Sequence, residues 1–235
     1  MAVRPGGALT TRPLHFVFLV DCSGSMSTEG KIQAVNTTIR ETIPLMQAAA
    51  EDNPNAEVLF RVITFSTGAQ WHIPRPTPAA DFRWADVQAG GVTELGHALA
   101  LVREQLRVPP MSERALPPVL VLLSDGQPTD SEYHAELQAL LSLPWGRKAV
   151  RIAIAIGADA DHEVLQQFIA NPEIKVMQAS NPEALLRHIS WASTLIGAIS
   201  SPPSQLLGPG SRHSNVPIPT QPSSDPHDSE EDLIW

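Results

Sequence analysis

Cysteine is all but missing from this chain. Cys22 is the only one in 235 residues, so no intramolecular disulfide can form and no zinc cluster can be built on thiolates. Charge is also scarce, at 17% of residues, and it leans acidic: 16 Lys and Arg against 25 Asp and Glu give a net −9. A nucleic-acid face or an affinity for anionic lipid needs the opposite balance. The complementary partners are cations or basic surfaces. Long apolar runs are lacking too. The stretch from Leu14 to Val20 is too short to span a bilayer, and "MAVRPGGALTTRP" has no apolar h-region of a secretory signal. These absences predict a soluble, cytoplasmic protein with neither nucleic-acid nor membrane partners. There is no internal repeat, no Gly-x-x-x-x-Gly-Lys-Ser/Thr phosphate loop and no Gly-x-Ser-x-Gly nucleophile elbow.

What is present is a globular balance, 43% hydrophobic, long enough for one domain and an appendage. Apolar blocks "LHFVFLV", "EVLFRVITF", "PPVLVLLSD" and "AVRIAIAIG" are rich in β-branched residues and bounded by turn signals, as strands buried on both faces are. "AQWHI" follows Thr67-Gly68 closely and predicts an antiparallel hairpin partner at a sheet edge, and "IKVMQA" a last short strand. Helical patterns cover residues 31–50, 95–107, 131–143, 163–170 and 182–199, with Asn181-Pro182 as N-cap and first residue of the last. Strands alternating with helices predict an α/β fold: a three-layer, doubly wound, mostly parallel sheet with helices on both faces and one antiparallel edge strand. The domain spans residues 13–200 after a short lead, 1–12. Residues 201–235 hold seven of the 22 prolines with serine and acidic residues, and predict a disordered tail.

Ligands of doubly wound sheets bind beyond the carboxyl ends of the strands, where strand order reverses. In "VFLVDCSGSMSTEGK" the apolar run ends at Asp21, and Gly24 permits a tight loop that turns Ser23 and Ser25 back towards it. "VLVLLSDGQPTD" sets Ser124 and Asp125 at a second strand tip, and "AGGVTELGHAL" places Thr93 just before a helix. Asp21, Ser23, Ser25, Thr93 and Asp125 are all oxygen donors, which suits a hard cation. Mg²⁺ is the first choice, with Mn²⁺ or Ca²⁺ as alternatives. Three neutral hydroxyls and two aspartates, some bonded only through water, leave such an ion incompletely neutralised in its first shell, so an Asp or Glu from a partner protein is the natural completing ligand.

The pattern Asp-x-Ser-x-Ser, with Thr93 and Asp125 far along the chain, resembles the metal-ion-dependent adhesion site (MIDAS) of von Willebrand factor A domains, and all five positions match. "DCSGSM", "GGVTELGHAL", "LLSDGQPTD" and "LLRHISWASTLIGAIS" are most similar to bacterial TerY-type proteins associated with tellurium resistance and stress. The departure from the expected glycine pattern is Val92, between Gly91 and Thr93. The resemblance implies a metal-dependent interaction module rather than an enzyme, with serines and threonine on the metal and the aspartates bound directly or through water. It also implies a protein phosphatase and a protein kinase as partners.

Other roles compete for the same residues. Asp21, Ser23 and Ser25 also suit a helix cap and a serine turn, Thr93 an N-cap near Leu95, and Asp130 the N-cap of the following helix. Glu94 reads as an exposed first-turn glutamate, Cys22 as a buried spacer rather than a redox sensor, and His97 and His134 carry no assigned role. The terminal "DSEEDLIW" joins acidic residues to an aromatic anchor of the kind that recruits a partner. The rival functions are a Mg²⁺-dependent phosphohydrolase or a serine hydrolase using Ser23 or Ser25, and an assembly protein whose metal only stabilises the fold.

Overall fold

The computed structural model describes residues 11–125, 127–200 and 218–222. Six strands form one sheet: β1 (Arg12–Asp21), β2 (Ala56–Ser66), β3 (Gly68–Pro78), β4 (Val119–Ser124), β5 (Val150–Ile156) and β6 (Met177–Ala179). Their order is β3-β2-β1-β4-β5-β6, with every pairing parallel except β2–β3. The helices are α1 (Lys31–Glu51), α2 (Leu95–Gln105), α3 (Tyr133–Ser142), α4 (Pro144–Lys148), α5 (His162–Ile169) and α6 (Pro182–Ser200). The α/β architecture expected from the strand and helix alternation is the one observed.

Both faces are covered, which is why the central strands read as continuous apolar runs rather than alternating ones. One layer holds α1 and α6, which pack on each other and are joined where the Asn53 amide donates to the Ile196 carbonyl at 2.9 Å. On this side Phe16, Phe60 and Phe82 form a chain of rings with centroids 5.3 and 4.9 Å apart. The other layer holds α2 to α5. Here the buried Arg151 of β5 donates to the carbonyls of Gly146, Phe168 and Ile169, fastening α4 and α5 to the sheet. Burial lowers its guanidinium pKa to about 10, so the carbonyls are what keep a desolvated cation tolerable.

Differences from the sequence reading have local causes. β3 runs on through "PRPTP" to Pro78 instead of ending near Ile73. Its prolines fall on an edge strand where the register with β2 shifts between the Phe60–Thr77 and Val62–Ile73 pairs, a place where a missing N–H is tolerated. The short helix α4 went unrecognised because five residues carry no measurable period. Asn181 caps α6 as expected, its side chain accepting from Ala184 N at 2.8 Å.

Asp130 does not cap α3, whose N-cap is Glu132. Its Oδ2 instead accepts from Gly96 N at 2.7 Å in the first turn of α2, so it ties two loops together. Within the span read as a disordered tail, residues 218–222 lie against the domain, which amends that expectation for these five. The rest of the tail, including "DSEEDLIW", lies outside the described residues, as does most of the lead. Among the described residues no helix is long and apolar enough to cross a membrane.

Candidate metal centre

The strand order reverses between β1 and β4, whose parallel register ends with Val20 opposite Leu123. Asp21 and Ser124 therefore stand side by side at the carboxyl edge, and Asp125 follows. This is the crevice where a doubly wound sheet receives a ligand. Asp21 Oδ1 accepts from Ser23 N at 2.8 Å, closing the loop back on the strand tip. The Ser23 and Ser25 hydroxyls then lie 3.0 Å apart, paired with each other.

Two further loops are fastened onto this one. Gly90 N donates to the Cys22 carbonyl at 2.8 Å, and Gly24 N donates to the Gly91 carbonyl at 3.0 Å. Gly91 has φ +84°, and a Cβ there would lie 2.5 Å from Thr67 Oγ1, so only glycine fits the crossing. Val92 is accommodated without disturbing it: its N–H donates to Thr67 Oγ1 at 3.3 Å and its side chain is 44% exposed at the rim. Thr93 is held from the β4–α3 side, with Thr129 N donating to its carbonyl at 2.8 Å. It is not the helix cap; Glu94 occupies that position. Backbone ties thus hold the Asp21–Ser25 loop against Gly90 and Gly91, and the Thr93 loop against Thr129.

The electrostatics are unusual for a crevice with no cation side chain bonded to it. Asp21 is fully buried, and burial raises its pKa to about 6; hydrogen bonds from Ser124 and Ser23 oppose the shift and the neighbouring Asp125 adds to it. Asp125 is also fully buried, and among the described residues neither of its carboxylate oxygens has a hydrogen-bond partner. A buried carboxylate without donors is costly. Near it lies the Asp21 carboxylate, bonded by Ser23 N on the loop that carries the paired Ser23 and Ser25 hydroxyls, and Thr93 is buried on a loop of its own. This donor set fits a hard divalent ion: two carboxylates short of positive charge, and neutral oxygens to fill the remaining positions. No group of three or more His, Cys, Asp or Glu suited to a metal occurs among the described residues, so any cation here depends on the hydroxyls.

Sequence reasoning left several supporting residues unassigned. Ser124 Oγ donates to Asp21 Oδ2 at 2.5 Å and orients it. Glu94 is only 27% exposed; it accepts from Gly68 N at 2.5 Å and lies 3.2 Å from His97 Nδ1. It is therefore a clasp between the β2–β3 turn and α2 rather than a free first-turn glutamate. Lys31 is buried and ion-paired at 2.8 Å with the exposed Asp159, whose pKa the bond from Lys31 lowers. The Ser-Asp order of "SDGQPTD" hinted at Ser124, but Lys31 leaves no sequence signal beyond its place at a helix start. Cys22 is a buried spacer as expected: its thiol donates to the Val20 carbonyl, and burial pushes its pKa up to about 12.

Comparison with solved structures shows the same fold at low sequence identity. A von Willebrand factor type A protein from Catenulispora acidiphila matches with a TM-score of 0.61 at 18% identity over 80% of this chain and 43% of that one. The ArnB paralog VWA2 from Sulfolobus acidocaldarius gives 0.57 at 22% identity over 76% and 44%. Proximal thread matrix protein 1 from the mussel byssus, solved with a zinc-occupied MIDAS motif, gives 0.58 at 19% identity over 79% and 46%. The chain spans less than half the length of each. None of the curated proteins compared with it matches. The family model for the von Willebrand factor type A domain matches residues 16–191, most of the chain, and the protein belongs to that family.

Proposed function

We propose that the chain is a non-enzymatic, divalent-cation-dependent protein-binding module in which Asp21, Ser23, Ser25, Thr93 and Asp125 hold the ion and a partner's Asp or Glu completes its coordination. The observation that carries this reading is Asp125: a fully buried carboxylate with both oxygens unpartnered among the described residues, beside the buried Asp21. When bound, the ion supplies the positive charge this pair lacks, and where an aspartate bonds it only through water its first shell stays short of negative charge and attracts an incoming carboxylate. Mg²⁺ suits the oxygen-only set best, with Mn²⁺ and Ca²⁺ as substitutes. The zinc in the mussel protein's MIDAS motif supports a metal role at the corresponding crevice of this fold.

Each residue of this chain has a task. Ser124 and Ser23 N hold the Asp21 carboxylate in place through their hydrogen bonds. Gly91 lets the Thr93 loop close over the Ser23–Ser25 loop, and Thr129 fixes Thr93 from below. Val92 presents an apolar contact at the rim. The serine hydroxyls bond to each other rather than to a histidine, which fits ligands better than nucleophiles. In keeping with the TerY-type resemblance, the proposed setting is a bacterial cytoplasmic stress complex of tellurium-resistance type, with a protein phosphatase and a protein kinase as partners.

The test is affinity capture by the full chain in Mg²⁺ and in EDTA, alongside Asp21→Ala and Thr93→Ala, with calorimetric titration of Mg²⁺ into each. Capture of a defined partner that needs Mg²⁺ and is lost in both variants supports the reading. Identical capture in EDTA, or Mg²⁺ binding unaltered in the variants, contradicts it.

A further inference from the structure

Residues 218–222, Ile-Pro-Thr-Gln-Pro, make contacts that the metal crevice does not use. They lie against the amino ends of the strands and the outer side of α6, away from the carboxyl edge that carries Asp21 and Asp125. Ile218 lines a cavity of about 770 Å³ with Trp145, Ile169, Ile174 and Arg147. The Trp191 indole N–H donates to the Thr220 carbonyl at 2.9 Å. Lys175 N donates to Gln221 Oε1, and Gln221 Nε2 donates to the Lys175 carbonyl, both at 2.9 Å. One glutamine amide thus satisfies both polar groups of a single backbone residue, as a neighbouring strand would.

We propose that this groove is a peptide-reading site with the preference Ile-Pro-x-Gln-Pro, and that the chain's own residues 218–222 fill it in cis. The preference follows position by position. Ile218 supplies the apolar anchor, packed against the hydrophobic core at the wall of the cavity. Thr220 offers only its carbonyl, so its side chain is free to vary. A glutamate at 221 would lose the amide donor and set a carboxylate against the Lys175 carbonyl. Pro219 and Pro222 carry no N–H to leave unsatisfied and have φ already fixed, which lowers the ordering cost. An aromatic groove receiving a proline-flanked extended segment is a recurrent recognition mode. Residues 201–217 join the segment covalently to α6, so its docking is intramolecular, which raises its effective concentration above that of a free copy. A free copy of the segment therefore loses the competition unless the tethered one is disabled.

The experiment uses the full chain and a labelled peptide matching residues 214–224, followed by fluorescence anisotropy. The Ile218→Asp, Gln221→Glu double variant empties the groove from the occupant's side; Trp191→Phe removes the indole donor from the groove's side. The expected result is saturable binding of the peptide to the double variant, at least ten-fold weaker binding to the parent, and loss of binding when Trp191→Phe is added. Circular dichroism confirms that each variant is folded, and the single Gln221→Glu variant replaces the double one should Ile218→Asp unfold. No binding to a folded emptied variant, or equal binding to emptied and parent chains, overturns the proposal.

Discussion

Replacing Asp21 by Asn separates the cost of the metal crevice from its use. In the metal-free protein, burial raises the Asp21 pKa from 3.8 to about 6. At pH 7.5 the folded state must then hold a charge it disfavours, a penalty of about 3 kcal/mol at 1.36 kcal/mol per pKa unit. The sign follows from a raised folded pKa on an acid: the penalty is complete above about pH 6 and fades as the pH falls and the folded carboxyl protonates first. Asn keeps the bond from Ser23 N and exchanges the other for one in which its amide donates to Ser124 Oγ, at a cost of about 1 kcal/mol. The net expectation is that Asp21→Asn is more stable than the parent in EDTA by about 2 kcal/mol, some 4–8 °C in Tm for a domain of this size. Mg²⁺ at a hundred times its Kd should stabilise the parent by about 2.7 kcal/mol and the variant hardly at all, so the order reverses. Urea melts of both proteins in EDTA and in Mg²⁺ measure this crossing. A variant less stable than the parent in EDTA, or equal stabilisation of both by Mg²⁺, refutes the reasoning.

Four further outcomes follow from the same contacts. Gly91→Ala, at φ +84° and 2.5 Å from Thr67 Oγ1, should cost about 1–3 kcal/mol and weaken Mg²⁺ binding, read by melting and calorimetry. Asp130→Ala removes the bond to Gly96 N and should cost about 1 kcal/mol in the same melts, while loosening the Thr93 loop enough to lower Mg²⁺ affinity. His15 is buried and its pKa is lowered to about 4, first by burial and then by Arg61. The unfolded chain binds this proton first, so stability is lost as the pH falls from 6.5 to 4, by about 3 kcal/mol, and His15→Leu should flatten that part of the pH profile. Cys22, buried with its thiol pKa near 12, should resist iodoacetamide in the folded protein at pH 8 and react on unfolding, as mass spectrometry would report.

The sheet was legible because its central strands are buried on both faces, and that physical demand writes itself as uninterrupted apolar runs. Asp21 and Asp125 were legible for a related reason: each ends such a run, so the strand fixes its place. What escaped notice depends on cross-loop contacts with no period in the sequence. Asp130 looks like a cap for the helix that follows it, yet its side chain bonds Gly96 N in the first turn of α2, thirty-odd residues earlier, because the β4–α3 loop folds back over that helix start. Glu94 and His97 have the spacing of an ordinary helix pair, while the bond that matters runs to Gly68 N on another element. Residues 218–222 were hidden by composition: proline-rich surroundings signal disorder, but the docking rests on one isoleucine, one glutamine amide and one backbone carbonyl that Trp191 bonds.

The most direct test of the central claim uses Mn²⁺ as a paramagnetic stand-in for Mg²⁺ and follows water proton relaxation of the bound ion as a carboxylate is added. The expected result is one Mn²⁺ site in the parent, absent in Asp125→Asn, whose relaxivity falls when acetate or a peptide bearing a single Asp displaces bound water, and does not fall with acetamide. Mn²⁺ binding that survives Asp125→Asn, or a bound ion indifferent to added carboxylate, would contradict the account of this crevice as a metal site awaiting a partner's acid.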